Sequence, residues 1–245
     1  MYSNDDAAAL YDLLNPWEPG TWPADTFYGE LVMAADSVLD VGCGTGTMLH
    51  WAREQGHGGR LVGLDPDTAA LARARRRADV EWVEGTAAAA DRLGGGFELA
   101  VMTGHAFQFL ATDEELRASL AGVHAALAPG GRFAFETRHP QARAWERWNP
   151  ANGSDLTDHA GRALRVWHTV ESVVDGVVTF TGTTADPDGT VLRVDRASLR
   201  FLTEPALDRL LAEAGFAVEA RHGDWDGSPV SGTSRELITV ARRVA

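Results

Sequence analysis

From residue 37 onward, apolar positions gather into short runs separated by helical spacings. Ser37–Val41, Leu61–Leu64, Val80–Val83, Leu99–Met102 and Arg132–Glu136 are each four or five residues long, the length of a buried strand. Between them the period lengthens. Thr47–Gln55 closes at Gly56, and Asp67 is placed to cap a helix running through Leu71 and Ala74. Thr112-Asp113-Glu114-Glu115 is a capping-box pattern. Leu116, Leu120, Val123 and Leu127 behind it share one helical face, until Pro129-Gly130-Gly131 stops the helix. Strand and helix in alternation predict crossover units, and hence a parallel sheet with helices on both faces.

The alternation breaks after Glu136. Asp175-Gly176 and Asp186-Pro187-Asp188-Gly189 are strong turn signals. The runs Leu164–Val174, Val177–Thr183 and Val191–Leu199 around them predict an antiparallel meander inserted in the parallel pattern. Alternation resumes with a helix at Thr203–Ala214, closed by Gly215, and a final strand pair at Val218–Arg221 and Leu237–Ala241. The turn-rich link between these two carries His222, Asp224 and Trp225 and reads as a hairpin connection. The expected division is therefore an N-terminal segment 1–36, a core of 37–137 and 201–245, and an inserted β-rich unit 138–200.

Residues 1–36 are aromatic and polar by turns. Tyr11, Trp17, Trp22, Phe27 and Tyr28 stand among Pro16, Pro19, Gly20 and Pro23, which break any long helix. Such a segment forms either a satellite cluster or a lid whose rings face a cation and exclude water; the second is preferred.

Composition narrows the function classes. The 35 acidic residues outnumber 22 basic ones, all arginine, for a net charge of −13. A large basic footprint for nucleic acid is not expected. The run Arg73, Arg75, Arg76, Arg77 reads as a solvated helix end. A single cysteine excludes an internal disulfide and a Cys₄ or Cys₂His₂ metal site. No apolar run approaches a membrane span and no signal peptide is evident, so a reducing cytoplasm is expected.

The chemistry concentrates in Asp40-Val41-Gly42-Cys43-Gly44-Thr45-Gly46, a strand running into a glycine turn and then a helix. Such a loop lets backbone N–H groups approach an anionic ligand group. A dinucleotide fingerprint requires glycine where Thr47 stands. Asp40 beside the loop would repel a pyrophosphate and attract an ammonium. No lysine exists for a Walker loop. Asp65, ending the next strand, is placed to take ribose hydroxyls.

These residues resemble motif I of the class I S-adenosylmethionine-dependent methyltransferases. Gly63-Leu64-Asp65-Pro66 is similar to the family's second acidic motif. Trp82-Val83-Glu84-Gly85-Thr86-Ala87 resembles its adenine-contacting stretch, and Leu127-Ala128-Pro129-Gly130-Gly131 its turn before the fifth strand. The ordered motifs span about residues 36–136. Gly104-His105-Ala106-Phe107-Gln108, Glu136-Thr137-Arg138 and Gly223-Asp224-Trp225-Asp226-Gly227 further resemble an actinobacterial-type group within that family.

The resemblance implies a Rossmann-like, doubly wound sheet, mostly parallel with an antiparallel last strand. It implies S-adenosylmethionine as cofactor and a small-molecule acceptor methylated on oxygen or nitrogen by in-line displacement. Asp40, Gly42, Cys43, Gly44, Thr45 and Gly46 would hold the methionine part, and Asp65 with Pro66 the ribose. Gly85 and Thr86 would flank adenine, while Thr103 and Tyr28 line the cofactor cleft. Thr86 stands where the family usually has aspartate, so a hydroxyl would replace a carboxylate toward the adenine amino group. His105 and His139, past the fourth and fifth strands, are candidates for proton transfer. Tyr11, Trp22, Arg138 and Trp145 are candidate acceptor contacts, and the meander is a candidate homodimer surface. A non-methylating cyclase-like enzyme and a cofactor-binding regulator on the same scaffold remain open at this point.

Overall fold

The structure, a computed structural model, describes residues 2–244. The chain begins with two helices, α1 (Asn4–Leu14) and α2 (Pro23–Met33). The prolines end one helix and start the next: Pro23 sits in the first turn of α2, where its missing N–H costs nothing. There follow β1 (Ser37–Val41), α3 (Thr47–Glu54), β2 (Arg60–Asp65), α4 (Thr68–Ala74), β3 (Glu81–Glu84) and β4 (Phe97–Met102). Next come α5 (Asp113–Ala126), β5 (Leu127–Arg138) and the strands β6 (Ser154–Thr157), β7 (Ala163–Val174), β8 (Val177–Ala185) and β9 (Val191–Arg200). The chain closes with α6 (Glu204–Glu213), β10 (Phe216–His222) and β11 (Glu236–Arg243).

One seven-stranded sheet has the order β10-β11-β5-β4-β1-β2-β3. β1 pairs in parallel with β2 and β4, and β5 with β4. β11 runs antiparallel to both β5 and β10, as expected of the last strand. The expected meander is a separate antiparallel sheet, β6-β7-β8-β9. Its central hairpin turns at Asp175 and Gly176, both at positive φ (50° and 76°), the geometry an Asp-Gly pair adopts most readily. β6 carries little periodic signal and was not foreseen.

The main sheet is buried on both faces. Leu39, Val41, Val62, Leu64, Phe133 and Phe135 face α5 and α6. Val38, Leu61, Leu99, Val101, Ala134 and Val240 face α2 and α3. The capping box of α5 forms as read, with Thr112 and Glu115 each bonding the other's backbone N–H. One boundary differs. β5 begins at Leu127 rather than Arg132, because the chain leaves α5 as an extended cap ahead of Pro129 and pairs at once with Phe97.

Candidate functional site

Successive side chains alternate across a strand. Stepping by two from Val38, Leu61, Ala134 and Val240, all in the layer beneath α2 and α3, reaches Asp40, Asp65, Glu136 and Glu236. The first three stand at or near the carboxyl ends of their strands. Glu236 opens β11, which runs the other way, so it lies at the same edge, opposite Arg138 in register. One face of one sheet edge thus carries four carboxylates on four strands.

The glycine loop is folded against this edge. The N–H groups of Gly42 and Cys43 donate to the carbonyl of Leu64 at 2.7 and 3.2 Å. The Gly44 N–H donates to Asp65 Oδ2 at 2.7 Å, and the Asp67 N–H to Asp65 Oδ1 at 2.7 Å. Both oxygens of Asp65 are thereby oriented, each with a lone pair left over. Gly46 has a φ of 79° and lies under the indole of Trp82, which also covers Gly63. A side chain at Gly46 would meet both obstacles. Burial pushes the Cys43 thiol well above its ordinary pKa, which disfavours the thiolate.

Asp40 is 2% exposed, and its Oδ1 is a sealed atom without a hydrogen-bond partner. Burial, with the nearby charge of Asp65, pushes its carboxyl up to about 8. Tyr28, fully enclosed, donates its hydroxyl to Glu136 Oε2. The His105 N–H donates to Glu136 Oε1 at 2.7 Å. The His105 ring places Nε2 3.0 Å from Glu236 Oε2. His105 has a φ of 61°, a strained value for a residue with a side chain. Its two carboxylate partners hold it there. Trp225, from the late turn, packs edge-on against both Phe27 and Tyr28 with centroids 5.8 Å away. This turn is therefore a cover over the cleft wall as well as a strand connection.

α1 lies across the opening. Asp12 accepts from the hydroxyl of Thr45 in the glycine loop and from Arg73 Nε and Nη2 at 2.9 and 2.7 Å. Arg73 is thus part of a clasp, which corrects the reading of its run as a merely solvated end; Arg77 likewise pairs with Glu54 and Asp79. At the other end of α1, Asp6 and Asn4 accept from Arg162 and Arg193 of the meander. Tyr11, 51% exposed, brings its hydroxyl beside Gly104. Its pKa is raised by desolvation and then by the charges of Glu136, Asp65, Asp12 and Asp40, so the hydroxyl overlooks the acidic edge.

The other expected residues scatter. Thr103 follows β4, its carbonyl accepting from the Ala106 N–H, and the Gly85 N–H donates to the carbonyl of Asp65 at 3.0 Å. Pro66 follows Asp65 directly, and Thr86 is exposed after β3. Arg138 lies near Trp148, with its guanidinium 5.4 Å from the ring centroid. Trp145 is packed edge-on against Phe201 at 4.6 Å, in a small aromatic core under the meander. Trp22 is 52% exposed at the start of α2. His139 is buried; its Nδ1 accepts from the Gln141 N–H at 3.0 Å, so it caps a turn.

Residues 38–131 match the family model described as a methyltransferase domain. The chain is 31% identical over 196 residues to the dTDP-3-amino-3,4,6-trideoxy-alpha-D-glucopyranose N,N-dimethyltransferase of Streptomyces venezuelae, covering 79% of this chain and 80% of that protein. The chain belongs to the S-adenosylmethionine-dependent methyltransferases. This methyltransferase is also 35% identical over 118 residues to a 2-phytyl-1,4-naphtoquinone methyltransferase of Thermosynechococcus vestitus, a match that spans 46% of this chain and only 51% of that protein. Among solved structures, it resembles the S-adenosylmethionine-bound amino pentose methyltransferase CalS10 of Micromonospora echinaspora. The TM-score is 0.70 at 25% identity, over 100% of this chain and 98% of that one. S-adenosylmethionine is its cofactor.

Sequence reasoning singled out Asp40 and Asp65 but not Asp12, Glu136 or Glu236 as site residues. Glu136 had a visible signal: an acidic residue ending an apolar run, on the same parity as Ala134. Glu236 and Asp12 had none, because each gains its meaning from a partner far away in the chain.

Proposed function

We propose that this methyltransferase transfers the methyl group to the amine nitrogen of a small molecule, with His105 as the group that takes the proton. The observation that carries the reading is the His105–Glu236 pair on an edge already lined by Asp40, Asp65 and Glu136. Such an edge attracts cations, and an amine acceptor arrives largely as its ammonium. Glu236, 3.0 Å from the imidazole Nε2, orients the ring that takes the proton when the amine gives it up. Oxygen acceptors gain less from a row of carboxyl groups. His139, buried and committed to its turn, is not assigned a role in this reading.

The cofactor would be held by the residues of the glycine loop. The unpartnered, buried Oδ1 of Asp40 is what an ammonium group requires, and it supports placing the aminocarboxypropyl end there. Asp65, oriented by two backbone donors, would serve the ribose, Pro66, Gly85 and Thr86 the adenine side, and Thr103 and Tyr28 the wall. When bound, S-adenosylmethionine supplies an electrophilic methyl group on a cationic sulfur. The protein's share is chiefly alignment, worth roughly 7–11 kcal/mol, against about 3–5 kcal/mol for a general base.

In this reading α1 and α2 form the lid, residues 37–137 and 201–245 the cofactor-binding core, and 138–200 the cover over the acceptor. Tyr11 and Arg138 face the acceptor, while Trp145 and Trp22 support the cover and lid. The valines exposed on the meander, Val173, Val174, Val191 and Val194, support a pairing of two copies through that sheet. The test is methyl transfer from labelled cofactor to a panel of primary and secondary amines and their hydroxyl counterparts. His105→Gln should lower kcat on amines by about 10²–10⁴-fold with S-adenosylhomocysteine affinity retained. Equal turnover of hydroxyl acceptors, or an unaffected variant, would overturn the assignment.

A further inference from the structure

Arg138 is half-buried without a carboxylate partner, unlike Arg73, Arg200 and Arg221. Arg73 is paired with Asp12 at 2.7 Å, Arg200 with Asp113 at 2.5 Å and Arg221 with Asp208 at 2.6 Å. Arg138 has no carboxylate within 4.0 Å among the described residues, although Glu236 stands directly opposite it in the sheet. Glu236 is turned instead toward His105. The protein acceptor for the Arg138 guanidinium is an uncharged one, Gln108 Oε1, at 3.1 Å from Nη1.

Gln108 is built to play that part. It is 0% exposed, and its Nε2 donates to the carbonyl of Arg200 at 3.0 Å. That bond fixes which end of the amide is oxygen, and the oxygen then accepts from both the backbone N–H and Nη1 of Arg138. The ring of Trp148 supports the guanidinium at 5.4 Å. The cation is thus held in position by neutral groups, and the charges of Glu236 and Glu136 act on it only from beyond ion-pair distance. Its remaining N–H donors are not among the sealed atoms that lack a partner, so they open onto accessible space. Holding a partly desolvated charge without a counter-ion is unfavourable unless an anion arrives to use it. A guanidinium has a fork of donors matched to carboxylate or phosphate oxygens.

We propose that Arg138, positioned by Gln108 and Trp148, anchors an anionic group of the acceptor, a carboxylate or a phosphate, so that the substrate carries negative charge as well as the nitrogen to be methylated. The proposal rests on the reading of this face as the acceptor site. Arg138 and Glu136 project from the same face of β5 two residues apart, about 7 Å along the strand. One end of the acceptor therefore meets the acidic edge and the other the cation, which fixes its direction in the cleft.

The experiment titrates inorganic phosphate and, separately, acetate into the S-adenosylhomocysteine-loaded protein, following the nitrogen-15 resonances of the arginine side chains. Wild type, Arg138→Met and Arg138→Lys are compared. The expected result is a saturable shift in wild type, at least about tenfold weaker in Arg138→Met and partly kept in Arg138→Lys. The tighter of the two anions names the group. Equal binding by wild type and Arg138→Met, or no saturable binding of either anion to wild type, overturns the proposal. Calorimetry of S-adenosylhomocysteine with each protein reads the cofactor site separately. If wild type fails to bind it, the cofactor assignment falls, and the anion titration is then read on the unloaded protein.

Discussion

If the cofactor's ammonium sits against the buried carboxyl of Asp40, as proposed, cofactor binding should be a proton-linked event. With its pKa pushed up to about 8, roughly nine in ten Asp40 side chains are protonated at pH 7 in the free protein. An ammonium brought against the unpartnered Oδ1 would favour the ionised form, so the proton would leave. Release should be about 0.9 proton per cofactor bound at pH 7, and about half a proton at pH 8. Ionising the acid at pH 7 costs about 1.4 kcal/mol. The charge-assisted bond that follows returns roughly 1.5–3 kcal/mol. Affinity should therefore rise close to tenfold from pH 6 to pH 7 and level off above pH 8. The assay is calorimetry of S-adenosylhomocysteine in phosphate and in Tris, whose ionisation enthalpies differ. Asp40→Asn should abolish the buffer dependence and bind about 10–100-fold more weakly at pH 8, with little difference at pH 6. The stability of the free protein should move the other way. A carboxyl raised above its unfolded value loses stability as pH climbs from about 4 toward 8, so Asp40→Asn should melt higher than wild type at pH 8 and no higher at pH 4. Identical heats in the two buffers, or the same proton release from the Asn variant, would refute the reasoning.

Three further outcomes are expected. Tyr28→Phe leaves Glu136 Oε2 without its donor in a closed interior and should cost about 1–3 kcal/mol in urea unfolding; an unchanged midpoint would mean water replaces the hydroxyl. Gly46→Ala combines a left-handed backbone with a clash on Trp82 and should cost about 2–4 kcal/mol in thermal unfolding, partly recovered when Trp82 is made smaller. Asp12→Ala removes a clasp of partly exposed groups and should change global stability by no more than about 1 kcal/mol. Its effect should instead be faster amide exchange in residues 4–14; unchanged exchange there would show that the meander contacts alone hold α1.

The parallel core was legible because its central strands are buried on both faces and read as short apolar runs, while Thr112, Asp67 and Pro129 punctuate it locally. The glycine loop was legible for the same reason: its chemistry is written in consecutive residues. What stayed hidden depends on the folding of distant segments together. Glu236 matters only because β11 runs antiparallel beside β5, which brings it opposite Arg138 and within reach of His105. Asp12 matters because α1 crosses to Thr45 and Arg73. Two helices in residues 1–36 were not read, since prolines suggested interruption and only the structure shows Pro23 serving as a helix start. His139 follows a strand just as His105 does, and sequence position alone did not separate the ring facing a carboxylate from the ring capping a turn.

The tethering of α1 at both ends bears on how the enzyme should be handled. Tyr2 is buried beneath the guanidinium of Arg162, whose centre lies 4.9 Å from its ring, and α1 connects it to the clasp at Asp12. A purification tag fused ahead of Tyr2 would crowd that seat and pull on α1. Fusions at the carboxyl end, beyond β11, leave it undisturbed. Kinetic constants from amino-terminally tagged preparations should therefore be checked against protein from which the tag has been cleaved.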